Sequence, residues 1–428
     1  MFVLNVISII VVISMVVWRE RHGYLSNVIL PAIVLKLVAG MAFASIYYFY
    51  YGEGDTFIYL SESGNFGRYV LNNPEFVWFT PEHCADVSGC TLAVTDEPRV
   101  WFFARMTAPL TVLTHYNFWL NTIWFSVIVF LINLSALKRM MNRFPSWRMS
   151  LVIVLLFWPS FVFWTSGYQR EGIATSLMFW LLSVVFGRGQ TKPMVEGILV
   201  AVALYLLWEL KYYYCALLVA TAVGYFIAKY IQWKFSLSGG WKLVAVFLTT
   251  LVVGAMVGSF LHPNLNINKI HNAIAENHAN MILLNKHALL ITFDHLSVHW
   301  TYLLFYAPKA LFSSLMRPFI WESQSAIQFF TSIENMVVLF VVIFGGVGWW
   351  RFKRSNAGLS FIALVVFSVA LLIILTYSAP NIGSLARYKV SCVPVLVVVG
   401  IQGLRLWFPK IFYSIEDFFG INKKHINH

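Results

Sequence analysis

Apolar residues run in unbroken stretches along most of the chain, and polar residues gather in short clusters between them. The stretches fall at 2–18, 25–50, 118–137, 149–165, 173–186, 194–209, 212–231, 242–260, 335–350, 357–377 and 390–408. Each approaches the roughly 20 residues that a helix needs to cross the hydrocarbon core of a bilayer. Runs such as Val244–Val257 and Phe361–Leu375 are continuous, which excludes the alternating pattern of a transmembrane barrel. The pattern predicts an all-α, polytopic helical membrane protein of about 11 transmembrane helices.

The polar clusters orient the helices. Arg19–Arg21, Lys138–Arg148, Arg188–Lys192, Lys229–Lys242, Arg351–Arg354 and the tail from Arg405 to Lys424 hold 18 of the 30 basic residues. They alternate along the predicted threading and read as cytoplasmic by the positive-inside rule. The stretch 298–320 is apolar enough to cross, but a crossing would place Arg351–Arg354 outside, so it reads as re-entrant or interfacial. The outer face then carries two long loops, 51–117 and 261–334, and three tight turns at Ser166–Gly172, Trp208–Tyr214 and Ser378–Lys389. Aromatic stretches in 51–117 suggest helices lying in the interface. Residues 1–408 read as one membrane domain, and 409–428 as a cytoplasmic amphipathic tail.

Composition sharpens this picture. Of 428 residues, 59% are hydrophobic and 11% charged, against about 25% charged in soluble domains. Too few charges remain to clothe a soluble surface of this size. The net charge of +12 fits basic loops against anionic lipid, and no motif points to nucleic acid. The first apolar run has no preceding Lys or Arg and no small-residue cleavage site after it, so it reads as a helix and not as a signal peptide.

Cys84 and Cys90 share the first outer loop, with Gly89 easing the turn between them. On an oxidising side they are expected to form a disulfide. The histidines cluster in 262–299 without a compact metal spacing, and no metal site is expected from them. Lys36 lies near the middle of the second run, where an ionisable residue is a functional candidate, but the sequence names no partner for it.

Five constellations carry candidate chemistry. Gly52-Glu53-Gly54-Asp55-Thr56 follows the second helix, with Tyr59 beyond. Its carboxylate can accept a proton from an acceptor hydroxyl or hold a divalent metal, and Asp55 can equally cap a helix starting at Thr56. Trp164–Gly172 presents Arg170 and Glu171 at the membrane edge, as a local ion pair or as a fixed guanidinium for phosphate. Glu209–Tyr214 offers Lys211 among tyrosines that could be an aromatic belt. Met316–Glu322 combines Arg317, Pro318, Trp321 and Glu322. Asn381–Lys389 contains Gly383, Arg387 and Lys389, cations at a helix start that suit an anionic partner. Every one falls on the predicted outer face, which suits a lipid-linked phosphate whose headgroup meets cations at the boundary.

A first outer loop opening with Gly-Glu-Gly-Asp-Thr resembles the GT-C superfamily of polyprenyl-phosphate-dependent glycosyltransferases. Phe163-Trp164-Thr165-Ser166-Gly167 with Arg170-Glu171, Arg317–Glu322, and Asn381-Ile382-Gly383-Ser384 with Arg387 are similar to membrane proteins of bacterial surface-polysaccharide clusters. The resemblance spans most of 51–390 through short motifs, and departs in having an extra helix before the acidic loop. It implies transfer of a sugar from a polyprenyl-phosphate-linked donor to a glycan, lipid or protein acceptor. The site would lie on the periplasmic or extracellular face of the cytoplasmic (inner) membrane; no cofactor is named by the sequence, and a divalent metal stays open. Asp55 would be catalytic, and Glu53, Arg170, Glu171, Lys211, Arg317, Glu322, Asn381, Arg387 and Lys389 would bind substrate. The alternatives are an O-antigen or exopolysaccharide polymerase acting on pyrophosphate-linked oligosaccharides, and a transporter of lipid-linked sugars.

Overall fold

Long apolar runs have one economical solution in lipid, since a helix satisfies every backbone N–H and C=O within its own segment. The computed structural model describes residues 2–72, 98–189, 191–236, 241–261, 266–284, 289–351 and 358–420, and among these it is all-helical. Cys84 and Cys90 lie outside the described residues. The chain divides into two compact units, Met1–Tyr212 with Tyr413–His428, and Tyr213–Phe412.

Among the described residues six helices are long and apolar enough to cross a membrane: Phe2–Glu20, Ile29–Tyr51, Phe118–Arg143, Pro193–Lys234, Ala326–Arg351 and Leu359–Ser378. The bent pair Ile382–Ser391 and Val393–Trp407, with 62° between its halves, makes a seventh if taken as one span. Large apolar side chains such as Phe260, Phe305 and Trp350 are exposed along these and neighbouring helices, as expected of surfaces solvated by lipid.

In the first unit, α1 (Phe2–Glu20) is tied at both ends. Asn5 Nδ2 donates to the Leu113 carbonyl at 3.0 Å and its Oδ1 accepts from Trp124 Nε1 at 2.9 Å; Glu20 meets Lys138 at 2.6 Å. Helix α2 (Ile29–Ser45) continues as a π-helical turn, Ile46–Tyr51, which stops at Gly52 with φ +68°. Helix α3 (Asp55–Asn72) packs against α4 (Pro98–Leu113), and α5 (Phe118–Arg143) is N-capped by Asn117.

The predicted span 149–165 is not one continuous helix. It is a short α6 (Arg148–Val152), a π-helical turn Ile153–Phe157, an extended residue at Trp158 and α7 (Pro159–Trp164). Pro159 has no N–H to continue the ladder and suits a new helix start. Helix α8 (Arg170–Phe186) follows. The two predicted spans 194–209 and 212–231 form two helices joined across a kink at Lys211, φ −150° and ψ 76°, which together make up α9 (Pro193–Lys234). Only one residue leaves the helical region where the sequence suggested a turn.

The second unit contains α10 (Trp241–Leu261), α11 (Ile267–Leu284), α12 (Thr301–Met316), α13 (Ala326–Arg351), α14 (Leu359–Ser378), α15 (Ile382–Tyr388) and α16 (Val393–Trp407). The amphipathic α17 (Pro409–Phe418) closes the described chain. Helices α13 and α16 approach backbone to backbone: a Cβ at Gly345 would strike Gly400, and one at Gly403 would strike Gly345. Small residues permit such contact between membrane helices. The extended stretch Leu289–Ile291 pairs with Pro380–Ile382 through Ile291 N to Pro380 O, 2.9 Å, and Ile382 N to Leu289 O, 3.1 Å.

Candidate functional site

The first unit gathers five of the sequence candidates near one buried turn. Gly52 and Gly54 both hold positive φ, +68° and +133°, which only glycine adopts without strain. A Cβ at Gly54 would also press on the Tyr47 ring at 3.0 Å. This loop ends at Asp55, the first residue of α3 and the acidic group of its first turn, where helix-end N–H groups favour a negative charge. Glu53, in the loop itself, is exposed.

The next residue fastens the helix start. Thr56, 1% exposed, donates from Oγ1 to the Tyr168 carbonyl at 2.8 Å. Tyr168 belongs to the turn 165–169, which the sequence placed at the membrane edge and which is buried throughout. Its hydroxyl donates to Thr107 Oγ1 at 2.7 Å and lies 3.1 Å from Ser63 Oγ; Ser63 meets Thr111 at 2.8 Å, and Asn121 Nδ2 donates to Thr111 at 3.0 Å. Burial raises the Tyr168 pKa above that of an ordinary phenol, although the hydroxyls of Ser63, Thr107 and Thr111 pull the other way. The phenol therefore stays neutral and serves as a hinge of the network.

Arg170 opens α8 with its guanidinium 5.3 Å from the centre of the Tyr59 ring. Tyr59 lies one turn along α3 from Asp55, on the same face. Glu171, 1% exposed, meets Lys211 at 3.0 Å. The contact is one of charge, without an aligned hydrogen bond to the carboxylate. Lys211 is itself buried, and its non-helical backbone lets its side chain leave the face that a continuous helix would impose.

The second unit holds the other five candidates. Arg317 grips Glu322 through Nε at 3.0 and 3.1 Å and Nη2 at 2.9 Å, and donates Nη1 to the Leu290 carbonyl at 3.2 Å. Glu322 also accepts from the Phe319 N–H at 3.0 Å. Burial alone would raise the Glu322 pKa, but the hydrogen bonds from Arg317 and Phe319 and the charge of Arg317 hold it below the usual carboxylate value. Asn381 caps α15 by accepting from Gly383 N at 2.9 Å, and Arg387 lies against the Tyr388 ring.

Lys389 is 6% exposed, with its ammonium on Asn335 Oδ1 and, at 3.4 Å, on the Ser314 carbonyl. No described carboxylate lies within ion-pair distance of it. Asn335 in turn donates Nδ2 to the Met316 and Pro318 carbonyls, both at 3.4 Å. The cation and the Arg317–Glu322 turn thus share one amide.

Lys36 acquires the partners that the sequence left open. It donates to Thr165 Oγ1 and the Val162 carbonyl, at the carbonyl end of α7, where a cation is electrostatically favoured. Among the described residues no three His, Cys, Asp or Glu side chains gather as a metal would need. Thr56, Tyr168 and Asn335 escaped the sequence reading as partners, because their bonds reach residues 17–112 positions away. No family model matches the chain, and no characterised protein or solved structure matches it either.

Proposed function

We propose that the protein is an integral-membrane glycosyltransferase that moves a sugar from a polyprenyl-phosphate-linked donor to a glycan, lipid or protein acceptor. In this reading it crosses the bacterial cytoplasmic membrane about 11 times by the apolar runs of its sequence, with 51–117 and 261–334 outside. The observation that carries it is the Thr56–Tyr168 bond. It fastens the helix start that bears Asp55 to the turn leading into Arg170, so that a carboxylate and a guanidinium belong to one anchored assembly. A lipid-phosphate sugar brings its own leaving group. Asp55 takes the proton of the acceptor hydroxyl as that oxygen attacks the anomeric carbon. Cations stabilise the departing phosphate more as its charge grows, which lowers the barrier and not merely the ground state.

The test is glycan transfer by purified protein from radiolabelled polyprenyl-phosphate sugars. Asp55→Asn keeps the size and the helix-cap capacity of the residue. It is expected to abolish transfer while donor binding persists. Arg387→Ala is expected to weaken donor binding as well as turnover, with Arg387→Lys a partial rescue because one ammonium lacks the bidentate fork. Near wild-type transfer by Asp55→Asn would overturn the mechanism in favour of the polymerase. Absence of transfer from every lipid-linked donor would revive the transporter.

A further inference from the structure

The turn Arg317–Glu322 carries an aromatic pair that the reaction chemistry above does not use. Phe319 and Trp321 stack in parallel, with ring centroids 4.8 Å apart and planes 9° from one another. Trp321 is nevertheless 82% exposed. One face of its indole is backed by Phe319 and the other is open. The backing is fixed from below: Glu322 holds the Phe319 N–H, Arg317 holds Glu322, and Asn335 holds the Pro318 carbonyl. An open aromatic plane on a turn braced at three points is a preformed surface for something flat and partly apolar.

We propose that this turn is a pyranose-binding platform, a subsite for one sugar ring of the acceptor or donor glycan; the assignment rests on the glycosyl-transfer reading. A pyranose presents a face of C–H groups, weakly positive, to the negative face of an aromatic ring. Its hydroxyls project around the rim, where they need hydrogen-bonding partners. The rim here is polar: Gln324 is exposed, and the indole N–H of Trp321 makes no hydrogen bond among the described residues. Arg317 and Glu322 neutralise each other, so the platform offers hydrogen bonds with little net charge. That balance suits a neutral, hydroxyl-rich ring better than an anionic lipid headgroup. The shared Asn335 connects the platform to Lys389, so a ring seated on Trp321 lies on the side of the fold that carries a buried cation.

The experiment is saturation-transfer NMR on the full-length, detergent-purified protein with a panel of hexasaccharides: α-1,4-glucan, β-1,4-glucan, β-1,4-linked N-acetylglucosamine and α-1,6-mannan. At least one is expected to receive saturation on its ring C–H protons. Trp321→Ala is expected to weaken that binding about tenfold, the scale of one aromatic contact, and Trp321→Phe to retain most of it. Binding by none of the panel, or unchanged binding by Trp321→Ala, overturns the proposal. So does full binding by Trp321→Leu, or a Trp321→Ala variant that differs from wild type only in its retention by anionic vesicles, because both identify a lipid anchor. Asp55→Asn run in parallel separates the two claims. Trp321-dependent binding without transfer from any donor sinks the catalytic reading alone; transfer by Trp321→Ala at wild-type KM for both donor and acceptor sinks the platform alone.

Discussion

Lys211 and Lys389 are both buried cations beside sequence-predicted substrate residues, yet the two units accommodate them in opposite ways. Lys211 faces a carboxylate, Glu171, that is itself 1% exposed. Lys389 is hydrogen-bonded to an amide oxygen and a carbonyl, and the charge of Glu334 reaches it from beyond ion-pair distance. In the first unit the charge is balanced internally, and an incoming phosphate would have to compete with Glu171. In the second the ammonium is solvated mainly by dipoles, with Glu334 as a more distant counter-charge than Glu171 is for Lys211. Direct phosphate contact is therefore better suited to the Lys389 side. The Lys211 pair is better suited to holding α8 against the bend in α9, next to Arg170. This contrast redistributes roles that the sequence assigned evenly.

The largest expected effect tests the internal balance. Glu171→Gln removes a buried carboxylate from beside a buried ammonium, and breaking such a pair typically costs about 3–5 kcal/mol. Thermal unfolding in detergent, followed by tryptophan fluorescence, should show a correspondingly large loss. Glu171→Gln with Lys211→Met removes both charges and should recover most of it. A double variant no more stable than the single one would break the comparison, since it would mean that the site matters for shape and not for charge.

A second perturbation acts on the other unit through its helix contact. Gly400→Leu inserts a side chain where the α13 backbone already touches. Overpacking of this kind costs about 1–3 kcal/mol, and more where backbone must move. Because Asn335 sits on α13 and Lys389 immediately precedes α16, separating the helices also stretches their hydrogen bond. Donor binding should fall along with stability, whereas Gly346→Leu, which meets open space, should change neither. Equal losses at both glycines would remove the link between helix packing and the cation.

Lys389→Met is expected to be gentler than Glu171→Gln. It leaves polar oxygens unsatisfied, worth about 1–3 kcal/mol, but strands no charge. Its main consequence should be weaker binding of polyprenyl phosphate, measured by equilibrium dialysis of radiolabelled lipid. Wild-type lipid affinity in Lys389→Met would contradict the role argued for this unit.

How far the chain could be read in advance follows the same division between local and distant. The helical class and its lipid setting were legible, because apolar runs and basic turns are local signals. The break after Phe157 was partly legible through Pro159, but the π-helical turn before it depends on packing. The break at Lys211 was legible, since Glu209 and Lys211 interrupt an apolar run, but its one-residue sharpness and the Lys211–Glu171 contact were not. Arg170 and Glu171 look like a local pair on paper, and nothing local signals that Glu171 also meets Lys211, 40 positions away. Lys36 was visible as an anomaly, but its acceptors, Thr165 and the Val162 carbonyl, become available only once α7 ends beside it. Polar partners inside an apolar sequence leave no periodic trace.

The smallest expected effect is a pH dependence confined to the second unit, and its sign follows from two groups outside the membrane-crossing helices. Burial lowers the His278 pKa below its ordinary 6.5, although its hydrogen bond to the Tyr377 carbonyl opposes this. The native state then holds fewer protons than the unfolded chain just below that pH, so the stability is complete above about 6.5 and declines as pH falls toward the native pKa. Glu322 acts lower on the scale. Its native pKa lies below the ordinary 4.5, so its contribution is present above that value and is lost as pH falls through the native one. The pair is partly exposed, and solvent screening keeps its effect small. Hydrogen exchange read peptide by peptide should find α11 loosening first on acidification and the 317–323 turn second. His278→Gln should remove the first step and Glu322→Gln the second. If Glu322→Gln also frees Trp321 from Phe319, seen as a change in indole fluorescence at neutral pH, the carboxylate braces the aromatic platform as well as balancing Arg317. An unchanged indole signal would assign the bracing to Asn335 alone.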